Sequence, residues 1–340
     1  MVAAWKATRG MTLRQACRIA LVLVGLLDPI TVMAQQPTKI PRIGWLGDDP
    51  ATTHFREAFR QGLRDLGYVE GRNIVIEYRF AEGKVERFPA IAAELIALNV
   101  DVIVGVNQLA AVAATQLTKT IPIVFVAVGD PIGSGLVTSM AHPGGNVTGL
   151  SNMSPELVAK GLELLKQVAP DVSRMAVLWQ PGAADERTQA DRVKRAEVAA
   201  RALAVQLQLV EARGPADIDQ AFSRVTRARA GAVSVLPSVV FFNERKRLVD
   251  LAVRNRLPAM YFAREFVDAG GLMAYAANYP DQYRRAAAYV EKILRGAHPG
   301  DLPVEQPRAF DLAINLKAAR AIRLTIPQSV LARASYVIEK

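Results

Sequence analysis

Acidic, amide and small residues follow the predicted β-strands of this chain, at positions where a ligand could be held. In an open parallel sheet, ligands bind beyond the carboxyl ends of the strands. The free N–H groups and the positive dipole end of each following helix can hold a carboxylate there. The segments concerned are Asp48-Asp49, Asn107-Gln108, Asp130 within 129–135, Gln180-Pro181-Gly182, and Pro237-Ser238 leading into Phe242-Asn243. These residue types favour the binding of a small polar molecule with an apolar or aromatic part.

The motifs of common enzyme classes are absent from the sequence. It contains no G-x-x-x-x-G-K-[ST] nucleotide loop, no G-x-G-x-x-G after the first predicted strand, no G-x-S-x-G and no H-E-x-x-H. One cysteine and three scattered histidines argue against a zinc or His-rich metal site. Asp48 and Asp49 could form an acid pair, although capping of the next helix is the commoner use of such residues. The prediction is a protein that is not an enzyme and needs no cofactor or metal.

The elements that position these residues alternate between short strands and helices in the first half of the chain. Apolar, β-branched runs that are buried on both faces are typical of parallel strands covered by helices. The pattern predicts strands at 43–46, 73–80, 100–106 and 121–128, with helices at 54–66, 85–98 and 109–117.

The same rhythm begins again after Pro170. It predicts strands at 175–179, 206–212, 232–236 and 259–262, with helices at 185–203, 217–229, 244–255 and 280–294. Residues 310–324 form a strand that leads into a helix. At 340 residues and 51% hydrophobic content, the chain is long and apolar enough for two cores. The prediction is an α/β protein with two doubly wound, Rossmann-like lobes.

The N-terminus has the layout of a secretory signal peptide. Four cations between Lys6 and Arg18 precede an apolar run at 19–27, and Val32-Met33-Ala34 offers a cleavage site. We therefore predict a signal peptide at 1–34 and a periplasmic mature protein. The run is too short to span a bilayer, which takes roughly 20 residues.

The net charge of +10 suits an anionic partner, but its distribution does not favour nucleic acid. The basic positions of the 187–201 helix, including Arg192, are interleaved with acidic residues and no aromatic platform accompanies them. The pattern predicts a solvated helix with i,i+4 ion pairs.

Several motifs taken together resemble one family of binding proteins. They are F-R-Q-G-L at 59–63 with G-Y-V-E-G at 67–71, I-P-I-V-F at 121–125, G-D-P at 129–131, P-G-G-N-V-T-G at 143–149, F-F-N at 241–243, R-E-F-V-D-A-G-G-L-M at 264–273 and I-N-L-K at 314–317. With these motifs the chain resembles the extracytoplasmic solute-binding components of ABC importers. The type I periplasmic-binding-protein class and its tryptophan/tyrosine-type subgroup are the most similar.

The resemblance implies a ligand cleft between two lobes joined by a three-segment hinge, and delivery of the ligand to a membrane permease. It implies that 37–150 plus 272–300 form lobe 1 and that 151–271 plus 301–340 form lobe 2. It also suggests Asp130 as an acceptor for a ligand amine or hydroxyl, and Phe242, Asn243 and Glu265 as contacts from the second lobe. The ligand-binding set is then Asp48, Asn107, Gln108, Asp130, Gln180, Phe242, Asn243 and Glu265.

The resulting interpretation is a periplasmic, monomeric solute-binding protein that takes up an amino acid or aromatic acid by lobe closure. Two alternatives remain at this stage. The same clamp could present its bound form to a signalling receptor, or the chain could be a periplasmic α/β enzyme. An enzyme would need an acid–base pair with strongly shifted pKa values at the strand ends, which the sequence does not display.

Overall fold

The structure is a computed structural model that describes residues 39–50 and 52–339, so the predicted signal peptide at 1–34 lies outside the described residues. Twelve strands form two sheets in this part of the chain. Their bounds are β1 Arg42–Gly47, β2 Val75–Phe80, β3 Val102–Gly105, β4 Ile123–Val128, β5 Val147–Ser151, β6 Arg174–Trp179, β7 Gln206–Glu211, β8 Ala232–Val235, β9 Ala259–Tyr261, β10 Met273–Ala277, β11 Phe310–Asn315 and β12 Tyr336–Ile338.

Twelve α-helices cover the sheets within the described residues. They are α1 Thr53–Asp65, α2 Phe88–Ala97, α3 Gln108–Leu117, α4 Ser154–Val168, α5 Glu186–Ala202, α6 Ile218–Arg227, α7 Val239–Asn243, α8 Arg245–Arg254, α9 Arg264–Asp268, α10 Tyr279–Leu294, α11 Leu316–Ala321 and α12 Gln328–Leu331. Short 3₁₀ turns lie at Val85–Arg87, Pro215–Asp217 and Pro299–Asp301.

The first sheet has five parallel strands in the order β2-β1-β3-β4-β5. Its central strands are apolar on both faces because helices cover both sides: α2 and α3 pack on one side, and α1 and α10 on the other. The buried run from Ile123 to Val128 shows why periodicity alone identified these strands.

The second sheet has seven strands in the order β12-β11-β10-β9-β8-β6-β7. Strands β6 to β10 are parallel, but β11 runs antiparallel to β10 and β12 follows the direction of β11. The expected parallel sheet is therefore mixed at one edge. Clusters of buried apolar residues on its two faces complete the second lobe.

The lobe bounds expected from the resemblance need two corrections. Strand β10, at Met273–Ala277, is hydrogen-bonded between β9 and β11, so it belongs to the second sheet and not to lobe 1. Helix α10 packs against α1 of the first lobe, as expected. Residues Leu302 and Val304 also pack in the first-lobe clusters, so the chain enters the second lobe only at β11. The remaining bounds stay a prediction.

Three segments connect the lobes and are bonded to one another near Ser151. The Ser151 N–H donates to the Glu305 carbonyl (2.9 Å), and the Glu305 N–H donates to the Gly149 carbonyl (3.1 Å). Gln282, at the start of α10, donates its side-chain amide to the Ser151 carbonyl (2.9 Å) and is fully buried. These bonds tie the crossings into one narrow hinge.

Gly62 permits the close packing of α1 on α10. A Cβ atom at Gly62 would overlap the Arg284 carbonyl oxygen and lie 2.8 Å from Ala287 Cβ. We expect Gly62→Ala to force the helices apart and to lower the free energy of unfolding by about 1–3 kcal/mol. Denaturant unfolding measures this loss. The matched control is Gly214→Ala, where an added Cβ meets no atom within 4 Å. Equal stability of the two variants would contradict the close approach.

Candidate functional site

A cavity of about 150 Å³ lies between the two lobes, at the carboxyl ends of their strands. From the first lobe and the crossings it is lined by Asp48, Thr52, Phe55, Val106, Asn107, Gln108, Ala127, Gly129, Asn152, Tyr279 and Tyr283. From the second lobe it is lined by Ala183, Arg192, Pro237, Ser238, Val239, Phe242 and Phe262. The ligand cleft between lobes that the sequence predicts is present.

Five aromatic rings from both lobes form the apolar wall of the cavity. Phe55 of α1 stacks on Tyr283 of α10 with their centroids 4.8 Å apart, and Tyr279 meets Phe55 edge-on at 6.1 Å. Phe242 of α7 lies 6.3 Å from Phe55 and 6.5 Å from Phe262. Burial raises the pKa of both tyrosines, so their phenols are neutral at physiological pH. This wall suits a flat, apolar ring.

Arg192 of α5 brings a buried positive charge to the cavity. The residue is only 5% exposed. Its guanidinium donates from Nη2 to Ser154 Oγ (2.9 Å) and from Nη1 to the Pro237 carbonyl (3.3 Å). Nε is buried and has no hydrogen-bond partner, and Arg192 forms no ion pair among the residues described. Burial lowers the pKa of Arg192 to about 10, which leaves it charged at neutral pH. Asp185 and Asp130 oppose this shift from beyond ion-pair distance, so the guanidinium could still take a ligand carboxylate as a direct partner.

The prediction that Arg192 lies on the solvated face of its helix is wrong. Neighbouring Arg195 does form the expected i,i+4 ion pair with Asp191, at 2.7 Å. Arg192, however, lies four residues after Thr188 and four before Ala196, and all three are buried. The spacing in the sequence could have revealed this position, because Arg192 lies between Thr188 and Ala196 on the face of the helix that packs against the core.

Asp48, Asn107 and Gln108 from the predicted set line the first-lobe side of the cavity. Asn107 caps α3, with its side-chain oxygen accepting the Ala110 N–H at 2.9 Å. Gln108 is buried, and its amide donates to the Asp185 carboxylate on the second lobe. Burial raises the pKa of Asp48, and a hydrogen bond from Asn243 opposes this shift.

The other predicted residues, apart from Phe242, lie outside the cavity. Asp130 accepts the Gly133 N–H (2.7 Å) and so caps its own turn. Gln180 donates to the Arg213 carbonyl (3.1 Å) and accepts from Ser238. Asn243 and Glu265 bond to the first lobe instead of lining the cavity. The structure thus brings Asp48, Asn107, Gln108 and Phe242 together and leaves the other four apart.

Among the described residues, three hydrogen bonds from side chain to side chain join the lobes around the cavity. Asn243 donates to Asp48 Oδ2 (3.1 Å), Gln108 donates to Asp185, and His54 Nε2 lies 2.9 Å from Glu265 Oε1. These three residue pairs connect the first lobe to the second lobe across the cleft.

A β-bulge in β4 shapes the floor of the cavity. The register between β4 and β5 shifts between Phe125 and Val128, and Ala127 has a left-handed backbone with φ +59°. The Asn152 side chain donates to the Ala127 carbonyl at 3.0 Å and holds this conformation. Bulges beside binding sites redirect the chain in this way, and here Ala127 lines the cavity.

The described residues contain no cluster of three or more His, Cys, Asp or Glu that could hold a metal ion. No helix in the same part of the chain is long and apolar enough to cross a bilayer.

The chain belongs to the family described as ABC transporter substrate binding protein, whose pattern it matches over residues 46–338. This confirms the resemblance seen in the sequence. The family consists of binding proteins and not of enzymes, which confirms the prediction on catalysis. Its members typically work in the periplasm or outside the cell.

Three similar proteins illustrate the family. A tyrosine-binding protein of Clostridioides difficile (strain R20291) is 25% identical over 286 residues, covering 82% of this chain and 79% of its own. The ABC domain of Streptococcus pneumoniae in complex with L-Trp is 26% identical, with a TM-score of 0.80 over 88% of this chain and 99% of its own. The ligand-free, open structure of CD0873, a substrate binding protein with adhesive properties from Clostridium difficile, is also 26% identical. Its TM-score is 0.65 over 88% of this chain and 100% of its own. These structures confirm the two-lobed α/β fold.

Proposed function

We propose that this chain captures an aromatic amino acid, or a closely related aromatic acid, between its lobes and delivers it unchanged to the permease of an ABC importer. One observation carries the proposal. A single cavity combines a buried guanidinium, which forms no ion pair with any described residue, with a wall of aromatic rings. The two features match the two ends of an aromatic α-amino acid.

The charged end of the cavity is suited to the ligand's carboxylate. Arg192 is held in place by Ser154 and Pro237, so its orientation is fixed before a ligand arrives. A charge-assisted hydrogen bond to an oriented, desolvated guanidinium is stronger than one between neutral groups. Preorganisation also reduces the ordering cost of binding.

The relatives support the chemical class of the ligand. One is named for tyrosine binding, and one was solved in complex with L-Trp. Both are aromatic amino acids, as the rings of Phe55, Phe242 and Phe262 would favour.

Lobe closure around the ligand is the proposed mechanism. Ligand contacts from both lobes favour the closed state, and that difference in affinity shifts the population. The present arrangement is more similar to the L-Trp complex than to the ligand-free, open structure, although the two relatives are equally identical in sequence. This supports interpreting the bonds of Asp48, Gln108 and His54 across the cleft as features of the closed state.

The cellular setting follows from the family and the sequence. We expect removal of residues 1–34 on export, a periplasmic monomer, and recognition of the closed lobes by a membrane permease. We favour transport over presentation of the bound form to a signalling receptor, because the family is that of ABC transporter substrate binding proteins.

A ligand screen by thermal shift tests the proposal. L-Trp or L-Tyr should bind with Kd of about 1 μM or tighter, near −8 kcal/mol. At a hundredfold excess over Kd, the bound state gains about 2.7 kcal/mol, so the melting temperature rises. The matched controls are tryptamine, which lacks the carboxylate, and L-Leu, which lacks the ring. A shift with L-Leu and none with any aromatic amino acid would contradict the proposal, and so would chemical conversion of the ligand during the assay.

A further inference from the structure

The carboxylate of Asp48 lies at the end of the cavity opposite Arg192, and the proposed function assigns it no ligand contact. Asp48 follows β1 and lines the cavity beside the ring wall. Its Oδ2 accepts the side-chain N–H of Asn243 at 3.1 Å. The Gly83 backbone N–H also approaches the carboxylate, but no donor among the described residues completes a hydrogen bond to Oδ1, which is buried. A buried acceptor without a donor is costly, so its presence calls for an explanation.

The strand order separates Asp48 from Arg192. Arg192 lies at the ends of β4 and β5, since its Nη2 is 2.9 Å from Ser154 Oγ and a Cβ at Gly129 would be 3.1 Å from it. Asp48 lies at the end of β1, and β3 runs between β1 and β4. Neighbouring strands are about 4.8 Å apart, so these two strand ends are about 10 Å apart.

One amino-acid zwitterion cannot reach both groups with its charged end. Its nitrogen and carboxylate carbon are both bonded to Cα and lie only about 2.5 Å apart. If the carboxylate meets Arg192, the ammonium remains at that end of the cavity. The side-chain ring then extends along the aromatic wall, past Phe55 and Phe242, toward Asp48.

We infer that Asp48 accepts a hydrogen bond from a donor on the ligand's ring, so that the site selects tyrosine and tryptophan over phenylalanine. The inference rests on the proposed function and adds the specificity of the same site. A phenol O–H or an indole N–H supplies the donor that Oδ1 lacks, whereas phenylalanine leaves Oδ1 unpaired. Burial already raises the pKa of Asp48, and a ring donor stabilises the ionised carboxylate.

The test measures Kd for L-Tyr, L-Trp and L-Phe by calorimetric titration of the purified protein and its variants. The unchanged protein should bind L-Phe at least tenfold more weakly than L-Tyr. Asp48→Ala should weaken L-Tyr and L-Trp by about 10- to 100-fold, as expected for a hydrogen bond to a charged group. The affinity for L-Phe should change much less.

The matched control separates ring recognition from closure of the lobes. Asn243→Ala removes the same cross-lobe hydrogen bond but does not touch the cavity, so it should weaken all three ligands by the same factor. A uniform loss in Asp48→Ala, equal for L-Phe and L-Tyr, would overturn the inference, because it would leave Asp48 a role in closure alone.

If Asp48→Ala does not fold, the variant Asp48→Asn tests the same inference. In Asp48→Asn, the side-chain oxygen still has to accept from Asn243, which turns the amide N–H₂ toward the ring. The indole N–H only donates, while the tyrosine hydroxyl can also accept. Asp48→Asn should therefore weaken L-Trp at least tenfold relative to L-Tyr, and equal losses would overturn the inference. Failure of all three ligands to bind the unchanged protein would instead overturn the proposed function.

Discussion

Replacement of Arg192 by Met is expected to weaken the binding of L-Trp or L-Tyr by about 30- to 4,000-fold. The residue is buried, faces the cavity and forms no ion pair within the described part of the chain. Loss of one partner from a desolvated, hydrogen-bonded charge pair costs about 2–5 kcal/mol of binding free energy. Met fills a similar volume without charge, so the loss reports on the guanidinium and not on a new hole. Calorimetric titration measures the change.

The same variant should leave the ligand-free protein as stable as before, or more stable. Burial of Arg192 costs desolvation free energy that the more distant Asp185 and Asp130 offset only in part, and replacement of such a charge by an apolar side chain is often neutral or stabilising. The matched control is Arg201→Met on the exposed face of the same helix, which should change neither affinity nor melting temperature. A clear fall in melting temperature of Arg192→Met with full binding retained would contradict the assigned role.

Replacement of Phe242 by Ala is expected to weaken L-Trp and L-Tyr by about 30- to 150-fold. The ring lies between Phe55 and Phe262 and is the second lobe's main apolar surface in the cavity. A ligand ring that loses this cover stays partly hydrated, and burial of a Phe side chain contributes about 2–3 kcal/mol. Equilibrium titration with each amino acid gives the ratio.

Phe310 offers a matched control for the truncation of Phe242. It is partly buried on β11 and packs against Tyr275 with their centroids 5.9 Å apart, but it does not line the cavity. Phe310→Ala should lower stability without changing affinity. Unchanged binding in Phe242→Ala, or an equal loss in both variants, would remove Phe242 from the binding site.

The fold was largely predictable because its core strands are buried on both faces. Ile123–Val128 and Met175 to Trp179 are apolar throughout, which only a covered parallel sheet explains well. Strand β10, at Met273–Ala277, was not predicted from the local pattern, and the resemblance placed residues 272–300 in lobe 1. Its place depends on pairing with β9 and β11, which are distant partners that local sequence does not encode. Helix α4, which packs in the second lobe, was also missed, although its buried residues Val158, Leu162 and Leu165 recur at helical spacing.

The candidate site was predictable only in part, and for a similar reason. The end of each strand is local information, so Asp48, Asn107 and Gln108 could be placed on the cleft. Asp130 could not be excluded from the sequence, because its turn-capping bond to Gly133 satisfies a backbone N–H that only the folded turn presents. Arg192 was missed because whether a cation faces solvent or a cavity depends on what packs against its helix.

A crystal structure of the protein grown with L-Trp would reveal the ligand's position. We expect one molecule between the lobes, with its carboxylate within hydrogen-bond distance of the Arg192 guanidinium and its ring against Phe242. A ligand bound on the outer surface, or an empty cavity at saturating L-Trp, would contradict this expectation.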